Sequence, residues 1–317
     1  MPDRPPIPAS PRLLWGLLRP QGLGFVLLLP WFGYGFGHWS WGLDLREGQA
    51  FLTLLAAWAC LHAGTMWLNA GLDRDQGEVL WGKALPVPDA IERFAALALV
   101  AAPSLAWFAG PAPFLCAAAC SLLAVLYSSP HTAWKAHPVG GPLVNVLGYG
   151  VLSPLAGWWL VGVEPGPRTG IVFTAMAALT LGIYFAAQAF QQREDAARGY
   201  RTLVVTHGPA ATLLAARLLF GAGFGALFAL TAAGWLPRPC LVALPFALYV
   251  DHGFGAWRRD VLGDPTCATE VRARGLSGAL LLTALMFVLG AYAAYLGQAF
   301  TGSTVFAGRA TAAGFPG

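Results

Sequence analysis

Apolar residues in this chain gather in long blocks, and polar ones collect almost entirely between them. The blocks run over 22–38, 50–69, 94–109, 114–127, 142–161, 170–190, 210–233, 240–250 and 276–296. Folded as helices, most of them span a hydrocarbon layer of roughly 30 Å. The pattern predicts an all-α chain of nine transmembrane helices, the eighth a short one. Gly110-Pro111-Ala112-Pro113 predicts a tight turn between the third and fourth. The first block lacks a small-residue cleavage site and ends in crowded aromatics. It therefore reads as a retained span behind a leader at 1–20, not as a signal peptide. A single membrane domain over 1–317 is expected, with a short tail from 299.

Two blocks end in polar clusters. Segment 69–88 follows the second block and carries Asn69, Asp73, Asp75 and Glu78. Asn69 and Asp73 are four apart, so they stack on one face if the helix continues. Asp75 then falls about 200° round from Asp73. Either the helix breaks near 71–77 and the carboxylates converge, or Asp75 has another job. The sixth block leads into Tyr184, Gln188, Gln191 and Asp195, spaced three and four apart and so expected on one helix face. Glu194 lies beside them, and Arg193, Arg198 and Arg201 surround or follow. Carboxylate and amide oxygens are what Mg²⁺ takes, usually together with substrate phosphates. The bland alternative is a pair of solvated helix ends. Two clusters, each trailed by basic residues, read instead as halves of one polar site. Asp73 closes the second block and Asp195 the sixth, as a four-helix repeat would arrange them.

Composition supports the membrane reading, since 57% of residues are hydrophobic and only 11% charged, too few to cover a soluble surface. With nine spans, 14 of the 19 Lys and Arg residues fall on one side and 4 on the other, with Arg217 inside the seventh span. This bias predicts an inner or plasma membrane protein whose amino terminus and polar clusters are cytoplasmic and whose carboxyl terminus is outside. Five cysteines lack Cys-x-x-Cys spacing and read as small core residues. No Walker motif, dinucleotide fingerprint or patterned basic helix is present, so no nucleic-acid partner is expected.

A third polar loop, expected on the same side, carries Tyr127-Ser128-Ser129-Pro130, then Lys135, then Pro138-Val139-Gly140-Gly141-Pro142 and Asn145. A lone lysine is commonly a topology determinant; beside two acidic clusters it is also a candidate phosphate ligand. Together with Asn69-x-x-x-Asp73, Asn145-x-x-Gly148-Tyr-Gly150 and Asp195-x-x-x-Gly199-x-Arg201-Thr202-Leu203, this loop resembles the UbiA superfamily of intramembrane prenyltransferases. The resemblance runs from Leu17-Leu18-Arg19-Pro20 to the ninth block. It implies nine helices around a central cavity capped by cytoplasmic loops. It also implies Mg²⁺-dependent transfer of a prenyl group from a diphosphate to a lipophilic, often aromatic, acceptor in the bilayer.

On that resemblance, Asp73 and Asp195 are the catalytic acids, and Asn69, Asp73, Asp75, Gln191 and Asp195 the metal ligands. Lys83, Lys135, Arg198 and Arg201 would face diphosphate, Lys83 standing where an arginine is usual. The chain departs from the family pattern at Gly77 and Gln191, both usually acidic, with Asp75, Glu78 and Glu194 as stand-ins. His62, Asn145, Tyr184 and Gln188 are the expected cavity residues. Tyr184 also reads as a plain core aromatic, and His62 as a hydrogen-bonded core histidine. The alternative functions are an impaired UbiA-like protein that binds lipid or prenyl diphosphate, and a small-solute transporter.

Overall fold

The structure is a computed structural model describing residues 7–41, 48–74, 78–80 and 82–301. Asp75 and Gly77 lie outside those residues, as do the side chains of Glu78 and Lys83 and the tail beyond 301.

Helix α1 (Pro11–Leu18) meets α2 (Pro20–Trp41) at a 56° bend. Arg19 takes φ 54 there as the left-handed cap of α1, its N–H bonded to Gly16 O at 3.1 Å. Helix α3 (Gly48–Asp73) ends at Arg74, with φ 45. A two-residue ladder, β1 (Glu78–Val79) against β2 (Gly82–Lys83), follows in antiparallel register. Helices α4 (Ile91–Trp107) and α5 (Pro111–Ser128) are joined by the predicted turn, where Gly110 adopts φ 134 and Pro111 opens the next helix. The fifth block is one helical run in three parts: α6 (Gly140–Asn145), a π-helical segment (Val146–Leu152) and α7 (Ser153–Trp159). Helix α8 (Pro167–Gln188) leads to the short α9 (Gln192–Ala197). Helix α10 (Leu203–Ala232) is kinked at Gly208, φ 78, before Pro209. A 3-10 turn (Arg238–Ala243) runs into α11 (Leu244–Gly263), and α12 (Glu270–Thr301) ends the described chain.

Six described helical spans are long and apolar enough to cross a membrane, seven if α1 and α2 count as one bent span. Two further elements stand at predicted positions outside that count: α4, with 17 residues, and the divided run from α6 to α7. The eighth span corrects its expected length, extending over 26 residues from Arg238 to Gly263. Asp251, His252, Arg258 and Arg259 lower its hydropathy and made it read short. The first two therefore belong to a span and not to a loop.

Two apolar cores hold the bundle together. One joins α2, α7, α8, α10, α11 and α12; the other joins α3, α4 and α5. They meet around Phe25, Tyr149 and Leu155. Close backbone approach fixes the α2–α7 crossing, since a Cβ on Gly33 would run into the Pro154 carbonyl and one on Gly157 into that of Pro30. Trp58, fully buried, donates from Nε1 to Ser153 Oγ at 2.9 Å, and Ser153 donates to Gly148 O at 2.7 Å. This chain of bonds ties α3 to the π-helical segment.

Candidate active site

A cavity of about 280 Å³ opens where the two cores meet, and both polar clusters line it. From α3 come His62, Asn69 and Asp73. Helix α3 does continue through Asp73, so the two groups share a face, and it ends one residue later with Arg74 N bonded to Ala70 O. From the other side come Tyr184, Gln188, Gln191, Glu194, Asp195 and Arg198. These do not share one continuous helix face, contrary to the spacing argument. Helix α8 tightens into i→i+3 bonds at Ala189 and Gln191, and α9 starts afresh at Gln192. Its first turn places Glu194 and Asp195 at the positive end of the new helix.

The Asp-x-x-x-Gly spacing has a local physical reason. Helix α9 closes with a Schellman cap, Gly199 N bonding to Ala196 O and Tyr200 N to Asp195 O at 2.9 Å. Gly199 takes φ 73, which a side chain disfavours. The cap turns Tyr200 into the cavity wall and brings Thr202 Oγ1 onto Asp195 Oδ2 at 2.7 Å.

Lys135, 9% exposed, forms an ion pair with Asp73, linking the third polar loop to α3. The loop is seated by Gly141, where a Cβ would strike the Tyr184 hydroxyl. Asn145 lines the cavity while its Nδ2 donates to Gly141 O at 2.9 Å. Ser128 donates to Asn69 Oδ1, and Gln188 Nε2 to the Tyr184 hydroxyl at 2.8 Å. Glu194 is engaged by Arg198 at 2.7 Å. Burial pushes the Asp195 carboxyl above the ordinary aspartate range, and the nearby Asp73 charge adds to the shift. The Thr202 hydrogen bond, Arg198 and Lys135 oppose it.

Arg201 stands apart. Its backbone N donates to Ala136 O at 3.0 Å, but its side chain is exposed and does not line the cavity. His62 is 3% exposed and packs against the Leu18 and Arg19 backbone at the wall of the cavity. Sequence reasoning missed Arg19, Tyr127, Tyr149, Tyr200 and Thr202 as cavity residues. Arg19, Tyr127, Tyr149 and Thr202 were visible within the quoted motifs without being singled out; Tyr200 carried no signal of its own.

Among the described residues, no three His, Cys, Asp or Glu side chains converge into a metal site by themselves. The donors lining the cavity nevertheless include carboxylate oxygens of Asp73, Asp195 and Glu194, the last engaged by Arg198, and amide oxygens of Asn69 and Gln191. Such a set fits Mg²⁺, which is commonly held by one or two carboxylates plus substrate phosphates.

Fold and cavity define a polytopic α-helical membrane protein with an acid- and amide-bearing chamber at one end of its bundle. A profile of the UbiA prenyltransferase family matches residues 28–269, and the chain belongs to that family. Solved structures agree on the fold. A UbiA homologue from Archaeoglobus fulgidus bound to DMAPP and Mg²⁺ is 19% identical with a TM-score of 0.63, covering 89% of this chain and 98% of that one. The same homologue bound to GPP and Mg²⁺ gives 18%, 0.61, 88% and 98%. The apo homologue from Aeropyrum pernix K1 gives 16%, 0.62, 85% and 97%. No curated protein matches the chain.

Proposed function

We propose that this protein is a Mg²⁺-dependent prenyltransferase acting on a prenyl diphosphate and a lipophilic acceptor within the membrane. The observation that carries the reading is the meeting of both polar clusters, Asn69 with Asp73 and Gln191 with Asp195, in one chamber with apolar lower walls. Relatives of the same fold are known bound to prenyl diphosphates and Mg²⁺.

In this reading Asp73, Asp195, Asn69 and Gln191 hold the metal, which supplies charge neutralisation to the departing diphosphate. Lys135 exchanges Asp73 for a phosphate oxygen, and Arg198 adds a second cation at the rim. The C1–O bond of the substrate breaks and diphosphate leaves with the electron pair. The acceptor's nucleophilic atom then bonds to C1 and loses its proton. Phe25 and Tyr149, edge to face at 6.3 Å, present ring surface that excludes water and favours the allylic cation between those steps.

The test is Mg²⁺-dependent diphosphate release from geranyl, farnesyl and geranylgeranyl diphosphate by the purified protein with lipophilic acceptors. Asp73→Ala and Asp195→Ala should each lower the rate on the order of 10²–10³-fold. Diphosphate that binds without being cleaved would favour a lipid-binding protein instead. No binding at all would return the question to transport.

A further inference from the structure

Well inside the spans, an ion pair sits on the outside of the bundle. Arg217 of α10 donates from Nε and Nη2 to the two carboxylate oxygens of Asp251 of α11, both at 2.7 Å. The short turn at Arg238–Ala243 joins these helices, so they run in opposite directions. At the helical rise Arg217 lies about 22 Å from the end of α10 and Asp251 about 18 Å from the end of α11. Those lengths place the pair near mid-depth of the layer. Yet the side chains are 39% and 44% exposed, and neither lines the chamber. Hydrocarbon cannot solvate their open faces, so charges at such depth call for a polar cover.

The surface beside the pair admits close approach. Leu218, Gly221, Gly225 and Ala229, spaced three and four apart, form one exposed face of α10. A Cβ on either glycine would meet nothing within 4 Å. Such a Gly-x-x-x-Gly row lets another helix come to backbone contact in lipid. The ion pair says what comes. A patch holding one cation and one anion is complementary to itself, and a second copy carries it at the same depth. A two-fold axis along the membrane normal then turns Arg217 toward the partner's Asp251, and four charges alternate around the axis. We propose that the α10–α11 face is a homodimer interface, with the two ion pairs covering each other at its centre. The proposal is independent of the prenyl-transfer reading.

The experiment places full-length protein, half labelled with a donor and half with an acceptor fluorophore, in phosphatidylcholine vesicles. Energy transfer is followed as the protein-to-lipid ratio rises. Wild type should associate and saturate as a dimer. Gly221→Leu and Gly225→Leu, which have room in the monomer, should each weaken association about tenfold. Arg217→Leu with Asp251→Leu, which removes both charges together, should do the same. Leu97→Ala, on the exposed face of α4, should change nothing. Should the charge-free variant fail to fold, crosslinking in native membranes decides. With Cys60 and Cys267 replaced by alanine, Leu218→Cys should yield a disulfide-linked dimer on mild oxidation and Leu97→Cys should not. Wild type that stays monomeric at every ratio overturns the proposal. So does association undiminished by the glycine variants, which would put the contact elsewhere, or by loss of the charges, which would leave the pair no part in it.

Discussion

Burial of Asp195 works against its own ionisation, and Asp73 adds to the effect. In the metal-free protein the folded state therefore holds this proton more tightly than the unfolded chain does. The stabilising contribution is complete below the unfolded-state value and is lost as pH rises through the higher folded one. Ligand binding has the opposite sign, because a cation and its diphosphate need the carboxylate. Acidification should release farnesyl diphosphate beginning at a higher pH than an exposed aspartate near about 3.9 would require. Thr202→Val deletes the donor on Oδ2 and should move that midpoint up by about one unit, the worth of a hydrogen bond to a charged group. A midpoint that does not move would show that Thr202 does not support the anion. The acids and amides were legible because charge stands out against apolar runs. Tyr200 was not, since its place in the wall is set by a six-residue helix and its cap. Arg201, expected to face diphosphate, has its side chain exposed and off the cavity lining for the same reason.

Glycine does different work on different helices, and packing decides which. Gly33→Leu and Gly157→Leu thrust side chains into the facing backbone of α7 and α2, and each should cost about 3 kcal/mol. Gly221→Leu and Gly225→Leu on α10 meet no atom within 4 Å and should stay within about 0.5 kcal/mol. Thermal unfolding in detergent separates the two pairs. Arg217 and Asp251 make a different link, a bidentate ion pair between α10 and α11 with both distances at 2.7 Å. Gly255 gives the guanidinium room, as a Cβ there would lie 3.1 Å from Nη1. Arg217→Leu strands a carboxylate within a span and should destabilise by up to about 3 kcal/mol. Adding Asp251→Leu should recover most of that, because an apolar pair of similar volume is commonly neutral. A double variant as unstable as the single would mean the pair contributes more than its own compensation. Element positions were readable because apolar blocks map directly onto helices. The extent of α11 was not, because the Arg217–Asp251 pair satisfies charges that hydropathy alone counts as a stop.

For the molecule as a whole, the distribution of basic residues predicts an orientation, and one crossing tests it. Between the third polar loop and Pro167 lies a single helical run, Gly140 to Trp159, interrupted by its π-helical segment. His131 and Glu164 flank that run, and both are exposed. Cys60 and Cys267 are the partly exposed cysteines, so their replacement by alanine gives a quiet background. In that background, His131→Cys should react with a membrane-impermeant maleimide only from the cytoplasmic side, and Glu164→Cys only from outside. Opposite sides make the divided run a true crossing, despite its irregular middle, and place Lys135, Asp73 and Asp195 on the cytoplasmic face. The same side for both would make the run re-entrant and remove a span from the predicted nine. An inverted pattern would keep the crossing but put the chamber's mouth outside. That outcome would defeat the charge argument, because the basic residues that accompany the acids would then lie opposite the compartment that retains them.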